Sequence, residues 1–399
     1  MLARAVLALI GVVVLATPDA VAEDLVAAIG NRLFERAWVL PPSSTAANDG
    51  LGPLFNARSC AACHQRLGRT DMRAGTVPPP PGLVVALVTP DGDGDPHYGR
   101  QIQTAAAPGL APEAELTLEW REEEDGLVAP VPRLTRLSDG PLAAQTIASL
   151  RVAPALVTIG DVASVPDAAL AARADPDDRD GDGISGRLAR LGDGRIGRFG
   201  WKATTATLAE QTAAAFSTDL GLSSRARPAS TGDCTALQTA CFAAPQGAVA
   251  GQVEIGDEII GALAAFLRDR HAASPPAGEV EGRGAALFRE VGCAACHTPT
   301  LPDDKGGVVR IYSDLLLHDL GERLASGGPQ GAAQSREWRT APLRGLGEAQ
   351  DRGLLHDGRA RSIEEAVRWH GGEAQRSQAR VLALDAEDRQ ALLRFLEGL

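Results

Sequence analysis

Cys60-Ala61-Ala62-Cys63-His64 occurs a second time, with identical residues, as Cys293-Ala294-Ala295-Cys296-His297. C-x-x-C-H is the attachment signature of c-type haem, in which both thiols bond to the haem vinyl groups and the histidine ligates the iron. A zinc site shared by the two motifs, or a pair of redox dithiols, is the alternative. A dithiol would not need a histidine after both motifs. The sequence therefore predicts two covalently bound haem c groups, with His64 and His297 as proximal ligands.

The similarity of the two halves extends beyond these motifs. Leu54-Phe55 and Leu287-Phe288 precede their first cysteines by the same distance, and each phenylalanine predicts a helix that enters the haem pocket. An Ala-Leu-x-x-Phe-Leu pattern begins at Ala262 and again at Ala391, each time after acidic residues. Its apolar residues have helical spacing and predict an amphipathic helix with one buried face. Each module thus opens with C-x-x-C-H and closes with a packing helix.

These repeats predict a mainly α fold with two cytochrome c-like haem domains. The first domain spans residues 23–272 and carries a long, loop-rich insertion with a few short strands. The second spans residues 279–399, and Ala272 to Glu279 (AASPPAGE) form the linker. Within the insertion, the patterns predict strands at 83–89 and 115–120 and helices at 142–150 and 203–216.

Residues 1–22 have the features of a signal peptide. Arg4 precedes an apolar stretch from Ala5 to Thr17, and Ala20-Val21-Ala22 is an A-x-A cleavage site. An uncleaved membrane anchor is the alternative, although a full span needs about 20 apolar residues. We therefore expect a periplasmic protein without a stable membrane span, in a compartment that permits disulfides.

The charge and the remaining cysteines limit the partners and the redox chemistry. The 399 residues carry 39 Lys and Arg against 51 Asp and Glu, a net charge of −12. An acidic surface argues against nucleic acid and favours a basic partner. Cys234 and Cys241 remain after the four haem cysteines and flank a short polar loop. We expect them to pair in an oxidising compartment, with free thiols as the alternative.

With these motifs, the chain resembles the bacterial di-haem oxidoreductases, peroxidase-like proteins also called thiol oxidoreductases and related to di-haem cytochrome c peroxidase and MauG. The resemblance implies that electrons pass from the C-terminal haem to the N-terminal haem, which reduces peroxide or another small oxidant or oxidises a substrate. It also implies a small periplasmic electron donor, a cytochrome c or a cupredoxin. The matching segments cover nearly all of the mature chain and are 50–57, 95–99, 179–187, 198–203, 219–222, 312–320 and 338–373.

The resemblance implies a sixth ligand for the C-terminal haem. The family pattern H-D-G-x4-[LI]-E-x-A-V-x-x-M ends on the methionine that binds this haem. Counting from His356-Asp357-Gly358, the corresponding residue is His370, and both methionines of the chain lie before residue 73. We expect His370 to ligate the iron opposite His297 and to lower its potential relative to methionine. The alternative is that His370 caps a helix end.

Three further candidate site residues follow, at the N-terminal haem and between the haems. A glutamate serves as acid and base at the N-terminal haem of relatives, and its position in the segment Gly160–Pro166 is Ala163. Asp161 would substitute if the segment is extended, because residues two apart then share a face. Otherwise Asp161 is a solvated turn residue. Trp201 corresponds to a tryptophan between the haems that assists electron transfer, or it is an ordinary buried tryptophan. His97 is a second candidate ligand for the first haem.

Asp178, Asp180 and Asp182 have the D-x-D-x-D-G spacing of a calcium loop, in which alternate carboxylates converge on one cation. The twelfth position is Ala189, where an EF-hand needs a bidentate glutamate. A Ca²⁺ site here therefore requires ligands from other loops. An aspartate-rich turn held by its own backbone hydrogen bonds is the alternative.

Two functions remain open from the sequence. The first is a haem-dependent oxidoreductase of peroxidase type. The second is a non-catalytic di-haem electron-transfer protein with both haems six-coordinate, which the missing glutamate and His370 favour. They differ in one physical property, whether an iron has an accessible sixth position.

Overall fold

The computed structural model describes residues 18–44, 48–72, 78–248, 252–271 and 282–399. These residues form twelve α-helices and twelve short strands, and the strands pair as six two-stranded antiparallel sheets. The mainly α fold with short strands agrees with the sequence prediction. The helices are α1 Pro18–Glu35, α2 Cys60–Cys63, α3 Ile159–Ser164, α4 Asp167–Ala171, α5 Leu208–Leu220, α6 Thr239–Ala243, α7 Asp257–Arg268, α8 Arg283–Glu290, α9 Leu346–Gln350, α10 Ile363–Trp369, α11 Gln375–Leu382 and α12 Ala386–Glu397.

The sheets pair β1 with β3, β2 with β6, β4 with β5, β7 with β8, β9 with β10 and β11 with β12. The strands are β1 Leu54–Phe55, β2 Leu83–Val88, β3 Ala105–Ala106, β4 Glu115–Glu122, β5 Val128–Thr135, β6 Ile147–Val152, β7 Ala189–Arg190, β8 Ile196–Gly197, β9 Leu301–Pro302, β10 Val308–Val309, β11 Leu317–Asp319 and β12 Glu337–Arg339.

Helix α1 packs against α7, the predicted closing helix of the first module, and the contact is closest at Gly30. A Cβ atom on Gly30 would lie 2.2 Å from the carbonyl oxygen of Ala262 and 2.5 Å from Cβ of Phe266. The Phe34 ring lies 5.6 Å from the Phe266 ring and 6.4 Å from the His64 ring. Only glycine permits this approach, which brings Phe34 of α1 next to the first C-x-x-C-H motif.

The second module repeats the same helix contact. Helix α8 packs on the closing helix α12, and a Cβ atom on Gly284 would lie 2.3 Å from the Ala391 carbonyl oxygen and 2.6 Å from Cβ of Phe395. The rings of Phe288 and Phe395 lie 5.5 Å apart. The two closing helices predicted from the repeat are confirmed as α7 and α12.

The predicted equivalence of Leu54-Phe55 with Leu287-Phe288 is wrong. Leu54-Phe55 is the strand β1, in which Leu54 faces Ala106 of β3, and no helix begins there. Pro53 precedes it and disfavours a helical Gly52. The helix that corresponds to α8 is α1, in which Gly30-x-x-Leu33-Phe34 matches the Gly-x-x-Leu-Phe pattern of α8. The signal was present in the sequence, but residues 36–59 separate this helix from the first motif.

The insertion follows the sequence prediction in part. Strands are found at Leu83–Val88 and Glu115–Glu122, as predicted. The helix predicted at 142–150 is wrong, because Ile147–Val152 pairs along its whole length with the apolar strand β2. The helix predicted at 203–216 lies at Leu208–Leu220, since Thr207 and Glu210 form a capping box that fixes its start.

The β4–β5 hairpin of the insertion contacts the second module. Leu127 and Ala129 are buried in the apolar cluster that contains Phe288, Trp369 and Leu392. Asp125 at the hairpin tip pairs with Arg323 at 3.0 Å, and its carbonyl oxygen accepts a hydrogen bond from Arg368 at 2.7 Å. The insertion thus holds helix α10, the element that precedes His370.

Two predicted segments fall at the limits of the described residues. The linker 272–279 and residues 1–17 of the predicted signal peptide lie outside them, and α1 begins at Pro18, before the expected cleavage site. Within the described part of the chain, no helix combines the length and the apolar character that a membrane span requires.

Candidate functional site

The first motif folds as the short helix α2, and His64 follows its last residue. Ser59 begins the helix, since its Oγ accepts a hydrogen bond from the Ala62 N–H at 3.1 Å. Nδ1 of His64 lies 2.9 Å from the carbonyl oxygen of Pro154. A carbonyl oxygen can only accept, so Nδ1 carries the proton and Nε2 keeps its lone pair. Burial lowers the pKa of His64 to about 4, which keeps the ring neutral.

The second motif repeats this arrangement. Nδ1 of His297 lies 3.0 Å from the carbonyl oxygen of Tyr312, and burial lowers its pKa to about 4. A neutral imidazole whose Nδ1–H is held by a backbone carbonyl is the form in which Nε2 binds a metal. Both predicted proximal histidines are therefore neutral rings with an unprotonated Nε2, the form that iron ligation needs.

The four motif cysteines are free thiols in the structure. Burial raises the pKa of Cys60, Cys63 and Cys293 to about 12 and also raises that of Cys296. Redox dithiols need a lowered pKa, so this environment disfavours the dithiol alternative. Across the described ranges, only Asp178, Asp180 and Asp182 bring three possible ligand atoms together. The two motifs therefore do not converge on one zinc site.

A mostly apolar cavity of about 280 Å³ adjoins the second motif and extends to the first module. Cys293, Cys296 and His297 line it, with Phe288 among the apolar lining residues. Pro154, whose carbonyl holds His64, lines the same cavity. An apolar cavity with imidazoles at its wall and thiols at its edge fits a haem.

His370 lines this cavity together with His297. It is the C-cap of α10, and its backbone N–H donates to Val367 O at 3.0 Å. Nδ1 of its side chain lies 2.7 Å from Ala366 O, so Nε2 is unprotonated, as in both proximal histidines. Burial lowers the pKa of His370, and after burial the neighbouring His370 is the next cause that lowers the pKa of His297. The alternative, that His370 caps a helix end, is confirmed for its backbone. This role leaves the side chain available to bind a metal.

Asp161 does not line the cavity. It lies on helix α3, whereas the prediction assumed an extended segment, and Nδ1 of His271 lies 2.6 Å from its Oδ1. Ile159 and Val162 of the same helix line the cavity, and Ala163 packs in the apolar core of the first module. The structure thus brings Asp161 to the half-exposed His271.

Trp201 lies at the junction of the two modules and lines the cavity. Its Nε1 donates to Val152 O at 2.8 Å, and the guanidinium of Arg69 lies 5.4 Å above its ring. The carbonyl oxygen of Trp201 accepts from the Arg339 N–H at 3.1 Å. His97 does not line the cavity, and it packs beside Tyr98 in the insertion.

Two further buried histidines have contrasting environments. His318 lies between Asp314 at 2.8 Å and Glu373 at 2.7 Å, and 3.6 Å from Sγ of Cys296. Burial opposes its protonation, but the two carboxylates hold its pKa well above the ordinary value. His356 stacks on Trp338 at 3.8 Å, and burial holds its pKa well below the ordinary value. Both histidines line the cavity.

The three aspartates of the candidate calcium loop lie together, with ligand oxygens within 4.8 Å of one another. Backbone N–H groups of the loop donate to these same carboxylates, as from Gly183 to Asp178 at 3.1 Å and from Ile184 to Asp182 at 2.8 Å. Such bonds are those of an aspartate-rich turn. Ca²⁺ binding at this loop stays a prediction. Cys234 and Cys241 are joined as a disulfide in the structure.

The two C-x-x-C-H motifs and the apolar, histidine-lined cavity are the features expected of a haem-binding protein. The family described as "di-haem oxidoreductase, putative peroxidase" matches residues 142–399, more than half of the chain, so the chain belongs to this family. No curated protein matches the sequence.

Among solved structures, a chain of Kuenenia stuttgartiensis hydrazine synthase pressurised with 20 bar xenon is similar, with 20% identity and a TM-score of 0.26. The match covers 42% of this chain and 63% of that chain, less than two thirds of its length. A similarity this low supports no inference about the fold or the activity.

Proposed function

We propose that the chain is a periplasmic di-haem c-type cytochrome oxidoreductase of the cytochrome c peroxidase and MauG type, with cytochrome c-like domains at 23–272 and 279–399. The observation that carries the proposal is the repeated environment of His64 and His297. In both, a backbone carbonyl holds Nδ1–H and burial keeps the ring neutral. Two unrelated buried histidines after C-x-x-C sequences would have no reason to share this arrangement.

The chain's own residues have distinct roles in this proposal. Cys60 and Cys63 would hold one haem through thioether bonds, and Cys293 and Cys296 would hold the other. His64 and His297 would each offer Nε2 to an iron, and His370 would be a further ligand of the second iron. When bound, the haems supply one-electron chemistry at iron. The apolar lining of the cavity excludes water from this chemistry.

Electrons would enter at the C-terminal haem from a small basic cytochrome c or a cupredoxin, since the chain is acidic. The N-terminal haem would then receive them for the reduction of peroxide or the oxidation of a substrate. Trp201 would assist this transfer, because it is hydrogen-bonded to Val152 of the first module's insertion and to Arg339 of the second module.

A non-catalytic electron carrier is the second candidate, and specific observations favour it. Peroxide reduction needs a group that moves a proton near an open iron. Asp161, the residue proposed for that role, pairs with the half-exposed His271 and does not line the cavity. His370 would also occupy the sixth position of the second iron.

Electron paramagnetic resonance on the purified holoprotein, fully oxidised and half-reduced, distinguishes the two functions. The oxidoreductase predicts a high-spin ferric signal from the N-terminal haem, in one or both samples, that changes on adding peroxide. Two low-spin signals in both samples would contradict it and leave the electron carrier. Absence of haem from protein matured in a host with the haem-attachment machinery would contradict both.

A further inference from the structure

Two arginines of the cavity lack the carboxylate partners that buried cations normally have. Arg69 and Arg339 both line it. The buried Arg359, by contrast, is paired with Asp357 at 2.7 Å. Across the described ranges, no carboxylate oxygen lies within ion-pair distance of Arg69 or Arg339. An unpaired buried charge is costly unless an anion compensates it.

Arg69 belongs to the first module, five residues after His64, and its side chain is only 7% exposed. Its Nη2 donates to the carbonyl oxygen of Leu355, while its buried Nε has no hydrogen-bond partner among the described residues. Burial lowers the pKa of this guanidinium to about 10, and Asp357 offsets this only in part. The group therefore stays charged at neutral pH, with a donor left over.

Arg339 belongs to the second module and contacts the loop that contains Gly200 and Trp201. Its Nε donates to Gly200 O at 3.0 Å and its Nη1 to Thr340 O at 3.1 Å. Both acceptors are neutral carbonyls. Burial lowers its pKa to about 10, which Asp314 offsets only in part, so it too remains a cation. Arg69 lies over the ring of Trp201 while Arg339 bonds to the backbone of Gly200 and Trp201. The two cations thus flank one loop at the junction of the modules.

We propose that Arg69 and Arg339 form a carboxylate-binding site for haem propionates at this junction. The inference rests on the proposed function, in which haem occupies the cavity. Haem is apolar except for its two propionates, so an apolar cavity with two uncompensated guanidinium groups is complementary to it. Guanidinium binds carboxylate through two parallel hydrogen bonds, and both arginines retain N–H groups for this. The site would bind haem and also set its potential, since a nearby cation favours the ferrous state.

The test compares Arg69→Leu and Arg339→Leu with Arg69→Lys and Arg339→Lys in the holoprotein. Optical redox titration from pH 5 to 8 gives the midpoint potential of each haem, and resonance Raman reports the propionate bending bands. Each leucine variant is expected to lower one midpoint potential, to make it more dependent on pH as the released propionate titrates, and to shift a propionate band. The lysine variants should keep most of the potential. Arg195→Leu, an exposed arginine paired with Asp193 and Glu210, is the control and should change nothing.

Several outcomes separate this inference from the proposed function. Full haem loading with wild-type potentials and Raman bands in both leucine variants would overturn the inference alone. A changed potential with unchanged propionate bands would also overturn it, because the arginines would then act without binding propionate. A wild-type chain that binds no haem would overturn the proposed function and this inference together. If a leucine variant fails to fold, Arg69→Gln and Arg339→Gln repeat the test, since glutamine keeps an N–H donor without the charge.

Discussion

The imidazoles of His297 and His370 line one buried cavity, and the presence of His370 disfavours protonation of His297. The Nδ1 atom of each is 3.0 Å or less from a backbone carbonyl oxygen, that of Tyr312 or of Ala366. Both Nε2 atoms are therefore left as metal-binding lone pairs on neutral rings. The proposed bis-histidine iron site depends on this relationship, in which His370 lies one residue beyond the end of α10.

Replacing His370 tests the ligand directly. His370→Met is expected to keep the second haem low-spin and raise its midpoint potential, because thioether ligation favours ferrous iron more than imidazole does. His370→Ala should leave that iron open, with a high-spin ferric signal and new binding of carbon monoxide. His271→Ala is the control, because His271 pairs with Asp161 and does not line the cavity. Its spectrum should match that of the wild type. An unchanged low-spin signal in His370→Ala would show that another group is the ligand.

The β4–β5 hairpin should restrain His370 through α10. Asp125 binds Arg323 through two contacts of 3.0 and 3.2 Å, and its backbone oxygen accepts from Arg368. Asp125→Ala removes a partly exposed ion pair, so its effect on the free energy of unfolding should be at most about 1 kcal/mol. Exogenous imidazole should nevertheless displace His370 faster.

Glu119→Ala is the matched control for Asp125→Ala, because it removes the exposed ion pair of the same hairpin with Arg133. Stopped-flow absorbance measures the displacement. Equal rates in the two variants would mean that the hairpin does not act on α10.

We expect the two glycine contacts to contribute equally to the stability of their modules. Gly30→Ala and Gly284→Ala would each push a methyl group against a backbone carbonyl of the closing helix, at 2.2 and 2.3 Å. Overpacking of this kind costs about 1–3 kcal/mol, and separation of the helices should loosen the adjacent haem. Thermal unfolding followed in the Soret band measures both effects.

Gly261→Ala provides the control for this comparison. Gly261 lies on α7 itself, and an added Cβ meets nothing within 4 Å. Alanine should therefore stabilise the helix, by up to about 1 kcal/mol. If Gly30→Ala were as stable as Gly261→Ala, the close packing of α1 on α7 would be wrong.

Local patterns in the sequence predicted the parts of this structure that depend on local chemistry. The Ala-Leu-x-x-Phe-Leu repeat predicted both closing helices, while iron ligation at the two C-x-x-C-H motifs stays a prediction. The strand β2 was predictable because it is apolar throughout and needs backbone partners. Its partner β6 was not, because Ile147–Val152 becomes a strand only through pairing with β2, a contact between distant residues.

The remaining features depend on which distant residues meet. Nothing local to Asp161 indicates His271, and nothing near Arg69 indicates that it lies on the ring of Trp201. The match of α1 with α8 was visible as Gly-x-x-Leu-Phe in both, but a shorter match at Leu54-Phe55 lay nearer the motif. Spacing to the cysteines was misleading there, because the first module has an extra segment between its helix and its motif.

The buried Glu113 should make the stability of the insertion depend on pH. Its side chain is 1% exposed, and its two oxygens accept from Gln103 N–H and from Nε2 of Gln238, both at 2.6 Å. Gln238 lies inside the disulfide loop, so this carboxyl group ties that loop to the strands. Burial raises the pKa of Glu113 from 4.5 to about 8. The folded protein therefore holds a proton on Glu113 that the unfolded chain has already lost.

This difference in bound protons makes the free energy of unfolding depend on pH. Between about pH 4.5 and pH 8 the unfolded chain binds fewer protons at this residue than the folded protein, so the free energy of unfolding falls as the pH rises through this window. Below and above it the contribution is flat. Glu113→Gln removes the titration, so its thermal midpoint should decline less than that of the wild type between pH 5 and 8. Glu115→Gln, an exposed residue two positions on, should keep the wild-type slope. Parallel curves for Glu113→Gln and the wild type would mean that the carboxyl group is already ionised at pH 5, with Gln103 and Gln238 compensating its burial.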